Sequence, residues 1–68
     1  MDIDVVKLSL LMAYSGIDTA KQLAGLSGVS ENTISRIKNG GTAKISTVVR
    51  LSEALGCDPK ELVKGVSA

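Results

Sequence analysis

The sequence has no histidine, tryptophan or phenylalanine, and one each of cysteine, proline and tyrosine. Each shortage closes a class of function. Without histidine, the common zinc-ligand sets and the histidine-based nucleophilic arrangements cannot be assembled. With one cysteine and scattered carboxylates there is also no nucleophile–base pair, so an enzyme is not expected, and neither a metal, a cofactor nor a small-molecule substrate is called for. A lone Cys57 cannot form an intramolecular disulfide, and a bacterial or phage-encoded cytoplasmic protein is the expected setting. A single aromatic, Tyr14, cannot make a stacking track for single strands. The opening MDIDVVK places two aspartates ahead of a short apolar run, which is neither a signal peptide nor a membrane span.

What remains is a chain of 68 residues, 44% apolar, whose core must come from Leu, Ile, Val, Ala and Met. A chain of this length buries only about 60% of the surface its unfolded form exposes, enough for one small core and a single domain over residues 1–68. The net charge of +1 hides a separation. Between Arg36 and Arg50 lie four basic residues (Arg36, Lys38, Lys44, Arg50) and no acid, while the other four basics are outnumbered by all seven acids. Local field rather than net charge decides where a polyanion docks.

Glycines and turn residues divide the chain into about five short segments with apolar spacings of three and four, which predicts an all-α fold of five helices. The first is expected from about Asp4 to Tyr14, stopping at Ser15–Gly16. The second starts at Thr19, with Gln22 reaching back in a capping box. Ser30 caps a third that ends at Gly40 and Gly41. The fourth, about Lys44 to Leu55, is expected to bury Ile45, Val48, Val49, Ser52 and Leu55. Asp58, Pro59 and Glu61 signal a short fifth helix carrying Leu62 and Val63. Cys57 is expected to pack as a small apolar residue between the last two. The first helix is unusual in having two apolar stripes, Val6, Leu10 and Ala13 on one side and Val5, Leu8 and Met12 on another. Tyr14 shares a face with Val6 and Leu10 and is expected in the core or at its edge.

The second and third segments, joined by the turn GVS, have the form of a helix-turn-helix. Ala24 lets the two helices cross closely, Gly28 supplies a positive φ, Val29 plugs the corner, and Leu23, Ile34 and Ile37 join the pair. At 100° per residue, turning Ile34 and Ile37 inward leaves Asn32, Arg36 and Asn39 nearly opposite, with Ser35 at their edge. Asn can pair with adenine N6 and N7, Arg with guanine O6 and N7, and a carboxylate such as Glu31 can accept from cytosine N4.

The run TAKQLAGLSGVSENTISRIKNGGTAKISTVVRLSEALGCDPKEL resembles the Cro and lambda-repressor, or xenobiotic-response-element, family of helix-turn-helix regulators. The resemblance spans about Val5 to Val63 and rests on QLA, GVS, TISRIKNG, LSEALG and DPKEL in that order. It implies a compact five-helix lambda-repressor-like domain whose third helix enters the major groove of a double-stranded DNA operator. It also implies base contacts from Glu31, Asn32 and Arg36, with Thr33 and Ser35 as additional contacts, and phosphate contacts from Thr19, Lys38, Asn39 and Lys44. Three positions depart from the family pattern: Ala20 stands where a phosphate-touching glutamine is usual, Met12 where an arginine is common, and GGTAKI is one residue short and lacks a proline.

The expected function is a sequence-specific transcriptional regulator of phage, plasmid or antitoxin type, acting as a homodimer on DNA. The dimer would form through Leu62, Val63 and Val66 or through the Val5, Leu8 and Met12 stripe. The alternative is a protein-interaction module on the same fold that binds a toxin or repressor.

Overall fold

Among the described residues, three of the four α-helices begin at a side chain that accepts an otherwise unpaired N–H of the first turn. In the computed structural model, which describes residues 1–64, α1 (Val5–Tyr14) starts at Asp4, whose carboxylate accepts from the Lys7 N–H at 3.2 Å. A full capping box opens α2 (Ala20–Ser27). Thr19 Oγ1 accepts from the Gln22 N–H at 3.1 Å, while Gln22 Oε1 accepts from the N–H groups of Thr19 and Asp18 at 3.2 and 2.6 Å. Ser30 caps α3 (Glu31–Lys38) by accepting from the Thr33 N–H at 3.2 Å. The exception is α4 (Ile45–Leu55), which begins at Lys44 with no side-chain cap.

A fifth α-helix does not form among the described residues. Asp58 and Glu61 do make the expected capping box, but they close only a single 3-10 turn, Pro59–Glu61. The backbone beyond it is committed elsewhere: Leu62 C=O accepts from the Asp4 N–H at 2.7 Å, and the Lys64 N–H donates to Asp2 C=O at 2.8 Å. Ile3 pairs with Val63 and Asp2 with Thr42 as isolated antiparallel bridges, so the first residues tie the loop before α4 to the end of the described chain. Ile3 is itself buried.

Leu8 and Met12 of α1, Leu23 of α2, Ile34 and Ile37 of α3, and Val48, Leu51 and Leu55 of α4 form one core. Val29 at the corner and Ile3, Ile17 and Leu62 from the connecting segments complete it. Each such aliphatic side chain stabilises the fold by about 1.5–3 kcal/mol when fully buried. Ser52 is the buried polar residue of α4, and its hydroxyl donates to Val49 C=O at 2.8 Å. Half-buried Cys57 packs on this core at the junction of α4 and the 3-10 turn.

Several expected core positions move. On α4, Leu51 is buried and Val49 only half so, while Ile45 is exposed, because it lies on the first turn, beyond the last residue of the packed stripe. On α1 the core takes Leu8 and Met12, and this turns Val6, Leu10 and Tyr14 outward. Tyr14 is thus neither core nor core edge. The same choice removes Leu8 and Met12 as dimer contacts, and complete burial removes Leu62; Val66 lies outside the described residues. No described helix is long and apolar enough to cross a membrane.

Candidate nucleic-acid interface

The α2–α3 turn is fixed by its own backbone and one hydroxyl. Gly28 holds φ at +76°, a conformation that a side chain would strain, and its N–H donates to Ala24 C=O at 3.0 Å. Ser27 Oγ donates to Leu23 C=O at 2.7 Å and accepts from the Val29 N–H at 3.2 Å, which sets Val29 into the corner. That role of Ser27 is absent from the sequence reading, although a serine two residues before a turn position is a known local acceptor.

With Ile34 and Ile37 buried, α3 presents Glu31, Asn32, Ser35 and Arg36 to solvent. Thr33 is half-buried, and its hydroxyl lies 2.7 Å from that of Ser30, so one of its hydrogen-bonding directions is spent on the cap. Asn39 is the C-cap of α3 and is exposed. The chain then folds back over the last turn: the Gly41 N–H donates to Arg36 C=O at 3.1 Å. A Cβ at residue 41 would stand 2.7 Å from that carbonyl oxygen, closer than real Cβ atoms approach, so the loop needs glycine there.

This fold-back brings Lys44 beside Arg36. Both line a groove of about 700 Å³, together with Thr33, Thr42 and Thr47, and no acidic residue borders it. The uncapped start of α4 forms one wall. Its first N–H groups carry partial positive charge and are free of side-chain acceptors, so the groove, which Met1 also lines, offers two cationic side chains, hydroxyl donors and backbone donors to an anion. Thr42 and Thr47 were not expected here. The legible signal was Lys44 itself, because lysine at an N-cap cannot accept and leaves the first turn open.

The remaining expected contacts lie apart from the groove. Thr19 is exposed at the head of α2; its oxygen accepts from Gln22, and its hydroxyl proton stays free to donate. Lys38 is half-buried and borders a separate hollow of about 280 Å³ against α1, lined also by Ser9, Met12, Ala13, Ile17 and Asp18.

Comparison with known proteins agrees with this architecture. Two solved chains resemble this one along its whole length, PhpD with cadmium atoms and PhpD with cadmium complexed with hydroethylphosphonate. Each is 28% identical with a TM-score of 0.80, and this chain spans 15% of the length of either. No curated protein matches. The model of the Cro/C1-type helix-turn-helix DNA-binding domain matches residues 7–66, and the chain belongs to that family.

Proposed function

We propose that the protein is a sequence-specific transcriptional regulator that reads the major groove of a double-stranded operator with α3. The observation that carries this reading is the joining of the polar α3 face to the cationic groove at Arg36 and Lys44. In this arrangement Glu31, Asn32 and Arg36 meet base edges, with Thr33 and Ser35 beside them. Lys44, Asn39, Lys38 and Thr19 meet phosphate, and the first turn of α4 adds its backbone donors. One helix of this length covers few base pairs, so two copies act on one operator with their reading helices about 34 Å apart. A small repressor of phage, plasmid or antitoxin type, working in the bacterial cytoplasm, fits this economy of parts.

The test is selection of bound sequences from random duplexes, followed by a salt titration on the winner. With about three to five phosphates neutralised per subunit, the log–log slope is expected near −3 to −5 for each subunit bound. A flat response sinks the reading. The second reading, a protein-interaction module that binds a toxin or repressor, draws support from the likeness to 15% of a larger chain, where the fold is one part of a longer protein. It gains ground if no duplex sequence is enriched.

A further inference from the structure

Lys44 owes its place to the first residues of the chain. The loop that leads to it is pinned at two points. At the first, the Gly41 N–H donates to Arg36 C=O at 3.1 Å. At the second, residues 1–3 run beside the loop as a short strap. The Met1 nitrogen donates to Ala43 C=O at 3.0 Å, the Ala43 N–H donates back to Met1 C=O at 2.9 Å, and Asp2 bridges Thr42. Lys44 follows directly and heads α4, which no side chain caps. The strap is anchored away from the loop as well. Ile3 is 2% exposed within the core, the Asp4 N–H donates to Leu62 C=O at 2.7 Å, and Asp2 C=O accepts from the Lys64 N–H at 2.8 Å. Met1 lines the groove with Arg36 and Lys44, whereas Asp2 is exposed and does not, so the strap adds no carboxylate to the groove lining.

We propose that residues 1–3 are a positioning element for phosphate binding: with Ile3 as its anchor, the strap fixes the loop so that Lys44 and the open first turn of α4 stay beside Arg36. This role rests on the operator reading above and adds to it residues that act through Lys44 rather than on DNA. Two physical arguments support it. A side-chain acceptor at the head of α4 would occupy the N–H groups that a phosphate oxygen takes. The strap instead holds the helix start through the backbone of Ala43 and leaves those donors open. The second argument is entropic. A lysine on an unpaired loop must be ordered at the moment of binding, and a loop paired in advance has already lost that freedom.

Two measurements test the role. Amide hydrogen exchange without DNA reads the loop itself, and Ile3→Ala should speed exchange of the Ala43 N–H at least about tenfold. Binding of a short random-sequence duplex, titrated with salt well below the melting temperature, reads the groove. There Ile3→Ala should weaken binding several-fold and reduce the salt slope by about one per subunit, the same change as Lys44→Ala. The two substitutions should not add: placed on Ile3→Ala, Lys44→Ala should cost less than about twofold more. A smaller folded fraction would lower the apparent affinity and leave the slope as it was, so the slope and the cycle separate positioning from stability.

If Ile3→Ala melts too low to be measured, Ile3→Val trims the same anchor by one methylene and carries the comparison with a smaller effect of the same sign. Additive losses, an unchanged salt slope or an unchanged Ala43 exchange rate each overturn the proposal, and would mean that the packing of Ala43 on the core holds the loop unaided. A wild type that binds no duplex removes the operator reading and this role together. A wild type that binds, with losses at Ile3 and Lys44 that add, removes this role alone.

Discussion

α1 and α3 each bury two large side chains, Leu8 and Met12 in one and Ile34 and Ile37 in the other, and they differ in what they leave outside. α3 exposes an amide, a hydroxyl, a carboxylate and a guanidinium; α1 exposes Val6, Leu10 and Tyr14. Both helices do the same work for the core. The difference lies in the partner each outer face can satisfy. Directional donors and acceptors on α3 match base edges and lose little by staying hydrated when free. Apolar side chains on α1 have nothing to offer a nucleic acid and gain only by leaving water. In a domain with so small a core, every exposed apolar ridge is surface withheld from folding.

The sharpest way to break that comparison is to shorten one buried side chain of α3 and one outward side chain of α1. Ile34→Ala opens a cavity in the core that it shares with Leu23 and Val29, and is expected to cost about 2–5 kcal/mol. For a domain of this size that lowers the melting temperature by roughly 10 °C or more. Leu10→Ala is expected to stay within about 0.5 kcal/mol of wild type, as exposed positions do. Thermal melts followed by circular dichroism give both numbers. Equal losses would mean that the α1 ridge is packed, and the contrast between the faces would disappear.

Smaller effects sharpen the α3 side. Arg36→Ala removes the paired donors from the middle of the reading face and is expected to cost about 1–3 kcal/mol on the selected operator, with preference relaxed at one base pair of each half-site. Non-specific binding should weaken less. Lys44→Ala removes a point charge from the groove wall. It should weaken all sequences alike and reduce the salt slope by about one per subunit. The ratio of specific to non-specific affinity, at one salt concentration, decides between the roles. If Lys44→Ala collapses the ratio while Arg36→Ala leaves it untouched, α3 is not the reading helix.

The parts of this molecule that were legible in the sequence are those settled within four residues. The caps at Thr19 and Ser30, the Gln22 capping box and the Gly28 turn depend on neighbours along the chain and occupy their expected places, while Asp4, expected as the first residue of α1, is its N-cap. The choice between the two α1 stripes was not local. Both are apolar, and which one faces inward depends on the packing of the other helices, so periodicity alone could not assign Tyr14. The pairing of Ile3 with Val63 joins distant ends of the described chain and that of Asp2 with Thr42 ties in the loop before α4, while the bonds from Asp4 N–H to Leu62 C=O and from Lys64 N–H to Asp2 C=O hold Leu62 and Lys64 out of a fifth helix. In the site, residue types on α3 announced the exposed face once Ile34 and Ile37 were turned in. The groove was hidden because it arises from the fold-back at Gly41, which brings Thr42 and Thr47 to the same concavity.

The smallest effect concerns Cys57, and it governs whether the two faces can be compared by thiol labelling. Burial beside α4, and after it the carboxylates of Glu61 and Asp58, push the Cys57 thiol above its ordinary pKa. Only the thiolate is an effective nucleophile, so at neutral pH Cys57 should react with a disulfide reagent more slowly in the folded protein than in the unfolded chain. The stability consequence has a definite sign. The folded protein holds this proton to higher pH than the unfolded chain does, so the contribution is complete below the ordinary thiol pKa and is lost as pH rises through the raised value. Unfolding in urea as a function of alkaline pH should therefore show a slightly steeper decline for wild type than for Cys57→Ser. A Cys57 that reacts as fast folded as unfolded contradicts the placement against the core. A slow one provides the quiet background on which Leu10→Cys and Asn32→Cys can be read: both exposed positions should label readily in the free protein, and adding operator should slow labelling at Asn32 and leave labelling at Leu10 unchanged.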